Sequence, residues 1–147
     1  MLPQKLLVPF DFSASSETAL DWASHEQKQC GSTALVLHII NPIPLGAVTM
    51  PVVAPPPSEE EIELIQRDLR EVMKRHDLQG DVEILFAPSP GEAVVRTAAS
   101  KASTLIVMGT HGRGGITRAV LGSVADYVVR HAHCPVLTLR ACAHAAA

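Results

Sequence analysis

Leu105-Ile106-Val107-Met108-Gly109-Thr110-His111-Gly112-Arg113-Gly114-Gly115-Ile116-Thr117-Arg118-Ala119-Val120-Leu121-Gly122-Ser123 decides the fold class. An apolar run of strand character opens into a stretch holding five of the nine glycines, and a helix-like segment follows. α/β folds hold phosphates at such strand-loop-helix junctions. Glycine lets the backbone approach an anion, and the start of a helix aims unpaired N–H groups at it. The stretch is not a P-loop, because Gly-x-x-x-x-Gly-Lys-Ser/Thr is absent. It is not the dinucleotide fingerprint either: Gly112-Arg113-Gly114 is followed by Thr117 where that motif needs glycine. The spacing Gly109-x2-Gly112-x9-Gly122-Ser123 predicts a tight turn at the strand end, a loop, and a second glycine with a hydroxyl at a helix start. Arg113, Arg118 and His111 are the candidate side-chain cations, with solvated loop charge as the alternative.

Working outward, strands and helices alternate. Leu6 to Val8 reads as a first strand, and Ser13 or Ser15 as the N-cap of a helix to about Gln29, which Gly31 ends. Ala34 to Ile40 is nearly all apolar, the mark of a strand covered on both faces. Ser58 and Glu61 form a capping box, and Ile62, Ile65, Leu69, Val72 and Met73 recur at helical spacing. Val82–Phe86 is a third strand. Ser89-Pro90-Gly91-Glu92 is a cap signature for a helix to about Lys101. A helix from about Ser123 to His131 and a strand at Val136–Leu139 close the pattern. The order predicts an α/β fold: one doubly wound open sheet of five parallel strands, order 3-2-1-4-5, with four helices. Residues 1–147 read as a single domain with a proline-rich insert at 41–57 and a frayed tail. Six of the seventeen insert residues are proline. It reads either as a lid or docking strip beside the pocket, or as a loop without a role.

Charge divides the chain. Residues 1–92 carry 14 acidic against 6 basic residues, whereas residues 93–147 carry 6 basic residues and the single acid Asp126. The glycine stretch thus lies in the cationic part, which suits an anionic ligand. Nothing is basic enough, or interleaved with aromatics, to point to nucleic acid. No signal-peptide pattern or membrane-length apolar run is present, and three cysteines without framework spacing fit a reducing, cytoplasmic setting.

In a sheet of this order, ligands bind beyond the carboxyl ends of the strands where the order reverses. Asp11, the first charge after strand one, is placed to accept from a ribose, contact an adenine amine or help hold a divalent cation; the alternative is a helix-capping role beside Ser13. At the end of strand two a backbone can read an adenine edge, and His38 reads as a partly buried strand residue. His131, His133, Cys134, Cys142 and His144 suggest metal ligands when read linearly. A strand separates Cys134 from Cys142 by roughly 15 Å, however, too far for one zinc ion. No metal site is expected, and no nucleophile-base-acid set is evident.

Three segments together resemble the universal stress protein family. Gly109-x2-Gly112-x9-Gly122-Ser123 is preceded by Ile106-Val107-Met108. It is followed by Val124-Ala125-Asp126-Tyr127-Val128-Val129-Arg130-His131-Ala132-His133-Cys134-Pro135-Val136-Leu137-Thr138-Leu139. Leu6-Leu7-Val8-Pro9-Phe10-Asp11-Phe12-Ser13 and Leu37-His38-Ile39-Ile40 match its first two strands. The resemblance spans nearly the whole chain; the insert at 41–57 departs from it. It implies a homodimer of five-stranded α/β domains that binds ATP, with Mg²⁺ as the accompanying cation. By that resemblance Pro9 and Asp11 line the adenosine end and Ile39 reads adenine through its backbone. Gly109, Gly112 and the following loop, with Arg113, Gly114 and Gly115, hold ribose and phosphates, and Gly122, Ser123 and Val124 close on the phosphates; Met108 and His111 complete the expected cofactor-binding set. The expected function is an ATP-binding regulatory, stress-response protein with an unidentified protein partner. The alternatives are a slow ATPase or nucleotidyl-transfer enzyme on the same fold, and a nucleotide-free dimeric scaffold. The homodimer is expected through the apolar edge strand Val136–Leu139.

Overall fold

The computed structural model describes residues 2–43, 53–111 and 120–141. Nine elements follow in the order β1 (Lys5–Pro9), α1 (Ala14–Cys30), β2 (Thr33–Ile40), α2 (Glu59–Arg75), β3 (Asp81–Phe86), α3 (Pro90–Ser100), β4 (Leu105–Gly109), α4 (Ser123–His131) and β5 (Val136–Leu139). The strands form one parallel sheet in the order β3-β2-β1-β4-β5. The architecture is the one the alternation of elements predicts.

Alternate side chains of each strand feed opposite faces of the sheet. Leu6, Val8, Phe10, Ala34, Val36 and Val107 pack with Ala19, Leu20 and Ala23 of α1 and Leu69, Val72 and Met73 of α2. Leu7, Leu37, Ile106 and Met108 pack with Val94 and Ala98 of α3 and Ala125 and Val128 of α4. The central strands are thus covered twice, which is why they read as unbroken apolar runs.

Local chemistry sets the helix ends. Ser13 caps α1, its hydroxyl accepting from the Ser16 N–H, and Gly31 ends the helix at φ 69°, a left-handed conformation that favours glycine. Ser58 and Glu61 form the reciprocal box at the start of α2. Ser89 stands at the N-cap of α3 but makes no side-chain capping bond; Pro90 opens that helix instead. Gly91 serves a different end: a Cβ there would lie 2.8 Å from that of Tyr127, so its bareness lets α3 and α4 close together.

Gly109 departs from the expected tight turn. It is the last residue of β4, in register with Leu139. A Cβ at Gly109 would run into the Ser15 hydroxyl and lie 2.8 Å from the Ser15 carbonyl carbon, so the glycine admits the first turn of α1 against the end of β4.

The insert is partly described. The Ala54 N–H donates to the Pro42 carbonyl at 2.9 Å, which joins the two ends of the insert at its base. Residues 44–52, and with them most of the expected lid or docking strip, lie outside the described residues.

Candidate functional site

β1 and β4 are in register only at Leu6–Leu105 and Leu7–Ile106. Beyond those pairs the register ends between Val8–Asp11 and Val107–His111, the place where open sheets of this order carry a ligand crevice. This is the switch point of the sheet, since β1 connects toward β2 on one side while β4 connects toward β5 on the other.

Three junctions fix the walls of the crevice. On the α1 side, the Ser15 hydroxyl donates to the His111 carbonyl at 2.5 Å, and that of Ser13 reaches the same oxygen at 3.4 Å. On the β5 side, the Thr110 N–H donates to the Leu139 carbonyl at 2.9 Å. The Gly122 N–H donates to the Thr110 carbonyl at 2.7 Å, which clamps the chain entering the glycine stretch to the chain leaving it. The start of α4 is thereby held beside the end of β4.

Gly122 is the N-cap of α4, at φ −60° and ψ 160°, and has no side chain to cap the helix. Any residue adopts that conformation, and serine or aspartate would cap better. Backbone geometry therefore does not explain the glycine. The Gly122 carbonyl accepts the first helical bond from Asp126, so the N–H groups of Ser123, Val124 and Ala125 have no partner within the helix. Those groups and the helix dipole favour an anion.

His111 adds a side chain. Its Nδ1 lies 2.9 Å from the Thr110 hydroxyl, while Nε2 is buried with no hydrogen-bond partner among the described residues. An orphaned buried nitrogen is costly unless something supplies its partner.

At the other end, Pro9 is half-buried and in register with Leu37. Asp11 is half-buried, and its Oδ1 accepts from the Ser13 N–H at 3.0 Å. The local turn-forming role is therefore present, and one carboxylate oxygen serves it. Ile39 packs its side chain against the same core as Val124 and Leu121. Main-chain groups in a strand alternate sides. Leu37 accepts from Phe10 of β1, so Ile39, two residues on, turns its N–H and C=O to the same side, where β1 has ended. Met108 is a core residue only 4 % exposed, so its side chain lines no opening. Gly112, Arg113, Gly114 and Gly115, together with Arg118, lie outside the described residues.

The site residues missed in the sequence are hydroxyls. Ser13 and Ser15 tie α1 to the His111 carbonyl, and Thr110 holds the imidazole. The partners are 96 to 98 residues apart in the first two cases, a contact no local pattern reveals.

Away from the crevice, Cys134 is partly buried, and burial pushes its thiol pKa up, against the thiolate that a metal needs. No three His, Cys, Asp or Glu side chains converge on one point among the described residues. Cys142 and His144 lie outside them. No helix among the described residues is long and apolar enough to cross a membrane.

Comparison with known proteins places this geometry in a family. The chain is 31% identical over 150 residues to universal stress protein MJ0531 of Methanocaldococcus jannaschii, covering 95% of this chain and 83% of that one. It is 31% identical over 142 residues to a universal stress protein of Thermus aquaticus, covering 92% and 97%. Among solved structures, universal stress protein UspA from Lactobacillus plantarum superposes with a TM-score of 0.75 at 21% identity, over 95% of this chain and 99% of that one. A universal stress protein from Archaeoglobus fulgidus in complex with dAMP superposes at 0.64 with 24% identity, over 95% and 99%. One in complex with cAMP superposes at 0.67 with 23% identity, over 96% and 99%. The sequence profile described as the Universal stress protein family matches residues 3–140, and the chain belongs to that family.

Proposed function

We propose that this protein is an adenine-nucleotide-binding regulator, with ATP as its ligand in the crevice between β1 and β4. The single observation that carries the reading is the start of α4. There a glycine N-cap with no conformational need to be glycine leaves three N–H groups uncapped; the same glycine is bonded to Thr110, and the next residue, His111, has a buried Nε2 with no partner among the described residues. Those groups fit a phosphate in charge and in hydrogen-bonding sense. The complexes of relatives with dAMP and cAMP support an adenine nucleotide as the ligand class.

In this reading Gly122, Ser123 and Val124 hold the phosphates through their backbone, and the Nε2–H of His111 donates to the same group. Gly109 and the main chain of Met108 form the floor. Gly112, Arg113, Gly114 and Gly115 supply the rest of the phosphate contacts, with Arg113 as the side-chain cation. Pro9 and the second carboxylate oxygen of Asp11 line the adenosine end, and the Ile39 peptide meets the adenine edge. When bound, ATP with Mg²⁺ supplies a compact, highly charged group whose presence orders the glycine loop. Residues 1–147 act as one nucleotide-binding domain in the cytoplasm, paired through β5, with the 41–57 insert available to a protein partner.

Mass spectrometry of small molecules released from freshly purified protein tests the reading: ATP, intact after hours at room temperature, is expected. Recovery of AMP would move the ligand to an adenine monophosphate, as in the relatives' complexes. Protein that neither retains nor takes up any adenine nucleotide would overturn the reading in favour of a scaffold.

A further inference from the structure

His38 is a chemistry-bearing side chain at the β2 end that the proposed site leaves unused. Its Nδ1 lies 2.8 Å from the Phe10 carbonyl. A carbonyl only accepts, so Nδ1 carries the hydrogen. That bond diverts the sheet. β1 and β2 remain in register to Pro9–Leu37, and the Phe10 N–H still donates to the Leu37 carbonyl at 2.8 Å. Continuing the parallel ladder by one step would give the Phe10 carbonyl to the Ile39 N–H. Among the described residues that bond does not form, and the Phe10 carbonyl is turned to the imidazole. The Ile39 peptide is thereby left facing the crevice, on the side from which β1 has withdrawn.

The same ring braces the turn that follows. Phe12 adopts φ 64°, a left-handed conformation unusual for an aromatic residue. Its ring meets that of Phe10 edge-on at 4.9 Å and that of His38 edge-on at 5.3 Å. His38 thus holds both the carbonyl before Asp11 and the ring after it.

We propose that His38 is a positioning residue for base recognition. By capturing the Phe10 carbonyl it stops the β1–β2 ladder one bond early, and so keeps the Ile39 N–H and C=O free to read a purine edge. The proposal rests on the adenine-nucleotide reading of the crevice. A peptide N–H and C=O together match the N1 acceptor and 6-amino donor of adenine, and mismatch the N1–H and 6-oxo group of hypoxanthine.

The test compares AMP with IMP by titration calorimetry on the full chain, and follows the Ile39 amide by hydrogen exchange in the free protein. In the wild type, AMP is expected to bind better than IMP and the Ile39 amide to exchange fast. His38→Leu keeps the bulk and removes the donor. Its Ile39 amide is expected to become protected without nucleotide as the ladder closes, with AMP bound roughly five- to tenfold more weakly, the worth of about one hydrogen bond. The preference for AMP over IMP should fall in step. His38→Asn, whose amide N–H sits where Nδ1–H does, should restore both fast exchange and the preference. Should His38→Leu not fold, His38→Gln against His38→Asn gives the same reading, since the longer side chain misplaces the donor. A folded His38→Leu with wild-type exchange at Ile39 and an unchanged AMP preference overturns the role of His38 alone. Wild-type protein that binds neither nucleotide overturns the adenine reading and this proposal with it.

Discussion

At the residue scale, glycine serves two separate purposes in the stretch that first suggested a phosphate site. Gly109 is bare because Ser15 occupies the space a side chain would need, so its role is packing. Gly109→Ala should destabilise the fold by about 1–3 kcal/mol, the usual cost of overpacking, read as a lowered denaturation midpoint. Gly122 has backbone angles that any residue adopts, so backbone strain does not call for the glycine; the proposed site assigns its bareness to a ligand. Asp11 can be divided the same way. Asp11→Asn keeps the oxygen that accepts from the Ser13 N–H and removes the charge. Its thermal midpoint should match the wild type while its affinity for Mg-ATP changes; a lowered midpoint with unaltered affinity would assign Asp11 to the turn alone. The roles of Ser15 and Thr110 were illegible beforehand, because a serine that bonds a carbonyl 96 residues away has no local signature. His38 was legible as a partly buried strand residue, but its carbonyl partner was not.

At the element scale, the sequence pattern placed all nine elements. Strand ends moved by one residue because strand boundaries depend on the neighbouring strand's register, as at Gly109 opposite Leu139. Capping chemistry was readable where the cap bonds its own helix, as at Ser13 and Ser58. At Ser89 the signature marked the helix start correctly, with Pro90 first in the helix, although the hydroxyl makes no capping bond. β5 carries a sharper expectation than its apolar composition gave. Pro135 and Leu139 accept from β4, so by alternation Val136 and Thr138 direct their N–H groups to the open edge. Thr138→Pro removes an outward donor and leaves the β4 ladder intact. It should shift the proposed homodimer to monomer in light scattering at micromolar concentration, with the nucleotide site unaffected. Wild-type protein that is already monomeric there would remove the β5 interface.

At the scale of the whole molecule, the fold follows from alternation and double coverage. The proposed site follows from where one ladder stops, as the β1–β4 register ends after two pairs. Ligand binding should then stabilise the entire domain. At about a hundredfold excess over its dissociation constant, ATP is expected to add about 2.7 kcal/mol. For a chain of this size that is a rise in melting temperature of roughly 5–10 °C. Truncating the core at Leu20, which is fully buried, should cost about 2–5 kcal/mol with or without nucleotide. The two effects should add, since one belongs to the core and the other to the crevice.

The most direct measurement of the central claim is a calorimetric titration of ATP into the wild type and into Gly122→Lys, with thermal midpoints recorded for both. Gly122 has backbone angles that lysine adopts freely, so the variant should fold with an unchanged midpoint. The account predicts saturable binding near one ATP per chain in the wild type and none in the variant, whose side chain fills the space in front of the helix N–H groups. Equal affinity in the two proteins, or no binding by the wild type, would contradict it.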